Sequence, residues 1–240
     1  MKLIPFKRKK TSPDIRQIDL GSYHHTYDDE DVKFLKSLIS RQPVISHDRI
    51  IDGFSIETLL DCIPFCKQFN LQRLHWPFPD DGYRSESIEY ISLAHALKNS
   101  KGSTFSAVEL GAGWGPWISL AGVLAKRLNK EKIHLIGVEA DASRFNLMQK
   151  HMITNNLMSD DLSCDDHNDN NVSIKCQLIK GAAAAKNSKL YFPKLPVTDM
   201  GSSTSETNQS KDYRGFSCEN AEVVCEHGCF SKAHRQLGRH

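Results

Sequence analysis

No run in this chain stays apolar for the length that a membrane span requires. The opening Leu3-Ile4-Pro5-Phe6 is also too short for the apolar core of a secretory leader. Charge of one sign is scarce: 31 Lys and Arg stand against 29 Asp and Glu, a formal net charge of +2. That near-balance gives no global signature of a nucleic-acid binder. A disulfide framework is missing as well, because seven cysteines, an odd number, lie scattered through 240 residues. Cys218, Cys225, His227 and Cys229 match no usual zinc spacing. Cys62 and Cys66, four apart, read as buried and reduced on one helix face. The expectation is a cytoplasmic protein with no membrane span, no bound metal and no nucleic-acid partner.

What is present is organised. Residues 1–27 are polar and carry Lys7-Arg8-Lys9-Lys10, which reads as a disordered basic tail. From Asp28, the residues Val32, Leu35, Leu38 and Ile39 recur at helical spacing, with acidic residues in the first turn. Arg49 to Phe54 reads as a short extended piece and a turn, and Ile56, Leu59, Leu60 and Ile63 as a second helix. Trp76-Pro77-Phe78-Pro79-Asp80-Asp81-Gly82-Tyr83 is an aromatic loop. Covering a ligand and packing the N-terminal helices onto a sheet are equal readings of it. Ser85 caps a further helix. Residues 28–100 thus read as a helical N-terminal extension and 101–240 as a cofactor domain, with a polar, disordered insertion at 159–171.

The cofactor domain rests on one stretch. A strand-like run, Thr104 to Val108, precedes Glu109-Leu110-Gly111-Ala112-Gly113-Trp114-Gly115-Pro116, and a helix-like run from Trp117 to Ala125 follows. Glycines at alternate positions let a backbone turn sharply and approach a ligand closely. The helix start adds free N–H groups and a positive dipole end. A second strand-like run, Ile133 to Val138, ends at Glu139, where a carboxylate can take both hydroxyls of a ribose. A helix from Arg144 to Asn156, a third strand from Val172 to Ile179 and the small residues Gly181-Ala182-Ala183 come next.

The dinucleotide fingerprint G-x-G-x-x-G fails in both registers, since its third glycine would fall at Pro116 or at Ile118. That weakens a nicotinamide-dependent dehydrogenase reading. The remaining E-x-G-x-G-x-G pattern resembles motif I of the class I S-adenosylmethionine-dependent methyltransferases. A narrower resemblance is to the FkbM type. It is carried by residues 48–54, 76–82, 109–117 and 137–140, and by Gly181-Ala182-Ala183 with Leu190-Tyr191-Phe192. It implies a Rossmann-like, doubly wound α/β sheet that binds S-adenosyl-L-methionine. By position it implies cofactor contacts from Glu109, Gly111, Ala112, Gly113, Trp114, Gly115, Glu139, Ala140, Gly181 and Ala182. It also implies an enzyme that methylates a hydroxyl on a small-molecule acceptor, a metabolite or a sugar.

The C-terminus departs from that pattern. Beyond the third strand only Ala221 to Cys225 reads as a further core strand, and the acidic segment expected near the acceptor is not found. The sheet therefore reads as C-terminally incomplete. The alternative function is a catalytically incomplete cofactor-binding remnant or a partner-binding subunit. No catalytic base is assigned, because His75, Asp199 and His227 have no motif around them. The sequence does not fix an oligomeric state.

Overall fold

Local sequence signals place the first elements. In the computed structural model, the described residues are 28–63, 87–160, 167–169, 172–184, 190–196, 205, 210–212, 214–221 and 223–225. The basic tail, the aromatic loop, Ser85, Cys66, Cys229 and the three histidine or aspartate positions weighed as bases lie outside them. Helix α1 spans Asp29–Ser37 and starts where expected, with the Asp28 side chain accepting from the N–H groups of Glu30 and Asp31. Its apolar stripe, Val32 and Leu35, is buried.

Residues 44–59 form an antiparallel meander of β1 (Val44–Ile45), β2 (Arg49–Ile51) and β3 (Glu57–Leu59). This corrects the helix read from Ile56, Leu59, Leu60 and Ile63. Two features override the periodicity. The Asp52 side chain accepts from the N–H groups of Phe54 (2.8 Å) and Ile56 (2.9 Å), closing a turn. Asn155 then brackets Glu57, accepting its N–H and donating to its carbonyl, each at 2.9 Å. Such bonds span 98 residues of sequence and leave no local trace. Cys62 is buried as expected, but in a turn after β3.

Helix α2 (Ser87–Asn99) packs against α1. Between them Asp31 is buried, with Lys98 Nζ and His95 Nδ1 each at 2.6 Å. The alternation then becomes β4 (Thr104–Leu110), α3 (Pro116–Arg127), β5 (Lys132–Glu139), α4 (Ala142–Thr154), β6 (His167–Asp169) and β7 (Val172–Lys180). Strands β4, β5 and β7 pair in parallel in that order, and β6 adds antiparallel to β7. Part of the stretch read as a disordered insertion is therefore an edge strand. Edge pairing draws on backbone bonds, which polar composition leaves intact.

The parallel order and the strand–helix alternation fit a Rossmann-like fold. One continuous core joins Leu35 of α1, Tyr90 of α2, Ile118 and Leu124 of α3, Leu135 of β5, Met148 of α4 and Ile174 of β7. Beyond β7, β8 (Ala182–Ala184) pairs in parallel with β11 (Val223–Cys225), and β9 (Leu190–Pro193) pairs antiparallel with β10 (Cys218–Ala221). The strand expected at 221–225 is thus two short strands that pair with different partners. No helix among the described residues is long and apolar enough to cross a membrane.

Candidate functional site

The carboxyl ends of β4, β5 and β7 lie side by side, with Leu110 opposite Val138 and Glu139 opposite Lys180. In open α/β sheets this edge is where ligands bind. A cleft of about 410 Å³ opens there, within the range of small-molecule sites. It is lined by Glu109, Leu110, Gly111, Ala112, Gly113, Trp114, Pro116, Trp117, Glu139, Ala140, Arg144, Gly181, Ala182, Ala183 and Phe192. Nine of the ten residues expected to hold a cofactor are in that lining, and Gly115 is not.

The glycine loop leaves β4 through left-handed backbone at Gly111 (φ 68°), Gly113 (φ 56°) and Gly115 (φ 75°). Gly115 is the N-cap of α3 and has no side chain to satisfy the helix start. Glu109 does so instead, its carboxylate accepting the Ile118 N–H at 3.0 Å. Pro116 follows at the first helical position, where a missing N–H costs nothing. Burial pushes the Glu109 carboxyl up to about 8, opposed by the Ile118 and Trp117 N–H groups and reinforced by the nearby Glu139 charge.

Glu139 is the hinge of the cleft. Its Oε2 accepts the Gly113 N–H and its Oε1 the Asp141 N–H, both at 2.7 Å. One carboxylate therefore ties the glycine loop to the start of α4, and each oxygen keeps a lone pair for a further donor. Burial raises its carboxyl above the ordinary range, against the two N–H groups and the field of Arg144. The loop is fixed a second time by the Ala112 N–H on the Val138 carbonyl at 2.9 Å.

Trp114 turns away from solvent into a second apolar cluster with Ile50, Cys62 and Ile63. It lies edge-on to His151, with ring centroids 4.8 Å apart. His151 is fully buried between α3 and α4; its Nε2 is 2.8 Å from Ser119 Oγ, and its Nδ1 is 3.4 Å from Asn155 Nδ2. This chain connects the cleft wall to the β3 bracket. It is sealed from solvent, so the Ser119–His151 pair has no path to a substrate.

Burial holds the His151 imidazole down at about 3. An unfolded chain takes up that proton near 6.5, and the native chain does not until about 3. This group therefore costs the native state stability as pH falls below about 6.5, at up to roughly 1.4 kcal/mol per pH unit. Asp52, pushed up to about 7 by burial, acts with the opposite sign, as does Glu109. The wild-type-minus-His151→Gln difference in melting temperature, followed from pH 7 to pH 4, isolates the histidine. The variant is expected to lose less stability on acidification; parallel curves would remove the assignment.

Sequence reasoning missed Arg144 and Asp141. Asp141 caps α4, its Oδ1 accepting the Arg144 N–H at 2.9 Å. Arg144 carried one signal, since a cation in the first turn of a helix opposes the dipole. Phe192 joins the lining from β9, whose presence was expected and whose return to the cleft was not.

Among known proteins, no family model and no solved structure matches the chain. The chain is similar to a protein of Jannaschia sp. (strain CCS1) named "Putative methyltransferase": the two are 28% identical over 129 residues, which is 54% of this chain and 40% of that protein.

Proposed function

We propose that the chain is an S-adenosylmethionine-dependent methyltransferase of the FkbM type, acting on a hydroxyl of a small metabolite or sugar. The observation that carries the reading is the Glu139 carboxylate. It stands buried at the carboxyl end of β5, in the floor of the cleft, 2.7 Å from the Gly113 N–H of the glycine loop. A carboxylate at that edge suits vicinal ribose hydroxyls. The motif pattern supports the same reading, and the similarity to the Jannaschia protein supports methyl transfer in general.

The residues present fit such a nucleoside. Glu139 offers one free lone pair on each oxygen, Gly181 and Ala182 leave room for a flat base, and the Gly111–Gly113 backbone leaves room for the amino-acid part. When bound, S-adenosylmethionine supplies a methyl carbon on a cationic sulfur, already a strong electrophile. The chain's own contribution is then positioning. Glu139 orients the sugar, Glu109 holds the start of α3 and so the loop, and Trp114 anchors that loop into the N-terminal meander. The acceptor is read as a hydroxyl from the FkbM resemblance alone, and no described residue is assigned as its base.

Calorimetric titration with S-adenosylmethionine and with NAD tests the reading. Heat of binding from the first and none from the second is expected. Binding only to NAD would overturn it. Binding of S-adenosylmethionine without transfer of a labelled methyl group to hydroxyl acceptors would favour the remnant or partner-binding alternative.

A further inference from the structure

We propose that His151, held with its proton on Nε2, is the residue that positions the glycine loop, tying it to the N-terminal meander without touching the ligand. Its effect on binding rests on the reading that the cleft takes S-adenosylmethionine. The His151 ring is fully buried and stands perpendicular to that of Trp114, with centroids 4.8 Å apart. Its Nε2 is 2.8 Å from Ser119 Oγ, and Ser119 Oγ donates to the Pro116 carbonyl at 2.9 Å. Trp114 and Pro116 flank Gly115, and both line the cleft. One ring therefore holds the loop on both sides of its last glycine.

Asn155 decides which ring nitrogen carries the proton. Its own orientation is set by Glu57 of β3: Oδ1 accepts the Glu57 N–H and Nδ2 donates to the Glu57 carbonyl, each at 2.9 Å. Turning the amide round would lose both bonds. Nδ2 also donates to the His151 carbonyl at 2.9 Å and lies 3.4 Å from His151 Nδ1. An amide nitrogen offers hydrogens and no acceptor. An Nδ1–H would face a donor there, so Nδ1 is the bare nitrogen. Burial keeps the ring neutral, and its single N–H is therefore on Nε2.

The remaining protons follow in order. Nε2–H donates to Ser119 Oγ, which leaves the hydroxyl proton for the Pro116 carbonyl. A serine hydroxyl has one proton, so the opposite tautomer would turn it from Pro116 toward Nε2. The bonds through Glu57, Asn155, His151, Ser119 and Pro116 thus run from β3 to the first turn of α3. Trp114, packed on the same ring, carries the constraint to its neighbour Gly113, whose N–H meets Glu139 at 2.7 Å. That N–H ties the loop to the cleft floor, so release of the ring is felt at Gly113.

Long-range proton–nitrogen spectra of the ligand-free protein report which ring nitrogen is protonated, and Nε2–H is expected at neutral pH. Amide exchange at Gly113 is then compared in wild type, His151→Gln and His151→Leu, alongside titration with S-adenosylmethionine. The first variant keeps an N–H near the place of Nε2, and the second fills the space with no donor. His151→Gln is expected to stay within about threefold of wild type in both measurements. His151→Leu is expected to exchange about tenfold faster at Gly113 and to bind about tenfold more weakly. Should His151→Leu fail to fold, Ser119→Ala cuts the same chain one bond later and is expected to show the same pair of losses. An Nδ1–H tautomer would overturn the proposal. So would wild-type exchange or wild-type affinity in His151→Leu, or equal impairment in His151→Gln. Exchange that changes as expected in a protein that binds no S-adenosylmethionine would support the positioning of the loop and defeat the reading of the cleft instead.

Discussion

Glu139→Gln is expected to weaken S-adenosylmethionine binding by about a hundredfold or more, and this is the largest functional effect foreseen. Both oxygens of Glu139 already accept a backbone N–H, from Gly113 and from Asp141. An amide keeps one acceptor and sets an NH2 against the other N–H. One buried donor is then left unmatched, at a cost of about 1–3 kcal/mol. Removing the buried charge offsets part of that, because burial already raises this carboxyl above its ordinary range. Net stability is therefore expected to fall by only about 1–2 kcal/mol.

Binding has no such offset. The sugar hydroxyls lose an anionic acceptor on each oxygen, and hydrogen bonds to charged groups contribute about 1.5–3 kcal/mol apiece. Calorimetry with paired thermal melts separates the two losses. Wild-type affinity in a folded variant would remove Glu139 from the binding site. Acidification is expected to act in the same direction in the wild type, because the protonated carboxyl has one acceptor oxygen fewer to offer.

The second large effect is structural. Gly115→Ala is expected to lower stability by about 2–5 kcal/mol while leaving the affinity of the folded protein unchanged. The φ of 75° puts an alanine in left-handed backbone, which costs roughly 1–2 kcal/mol. Its Cβ would also lie 3.0 Å from Met148 Cγ and 3.0 Å from Met152 Cε. Met152 can move its terminal methyl. Met148 is held mid-chain in the core, so overpacking adds about 1–3 kcal/mol. For a chain of this size the melting temperature should fall by roughly 4–20 °C.

Gly111→Ala is the matched control. It has the same hand of backbone, φ 68°, but beyond its chain neighbours no atom among the described residues lies within 4 Å of the new Cβ. Only the backbone cost of about 1–2 kcal/mol is expected there. If the two glycines proved equally costly, the packing of Gly115 against α4 would not be the cause.

Gly115 shows how far a motif can be read. Its spacing in the sequence matched the pattern of a ligand loop. The fold sets it as the cap of α3 under two methionines, outside the cleft lining. Glu109 is similar: it lines the cleft, but its carboxylate meets the N–H of Ile118. The segment from Ile56 to Ile63 shows the reverse case. Its apolar spacing suited a helix, and an aspartate turn and the asparagine that caps the end of α4 made its first residues a strand, β3.

The order strand, glycine loop, helix, strand and Glu139 was legible because each part is specified by neighbours. Alternating apolar residues, alternate glycines, a proline at a helix start and a carboxylate at a strand end all act within a few positions. A parallel pairing of β4 with β5 then brings the loop and the carboxylate together with little freedom. The tertiary structure alone decided which side chains are sealed or crowded. The sealing of His151 and the crowding at Gly115 depend on how α3, α4 and the sheet close over one another. Burial belongs to that packing, and residues 98 positions apart share it with nothing in the sequence between them to announce it.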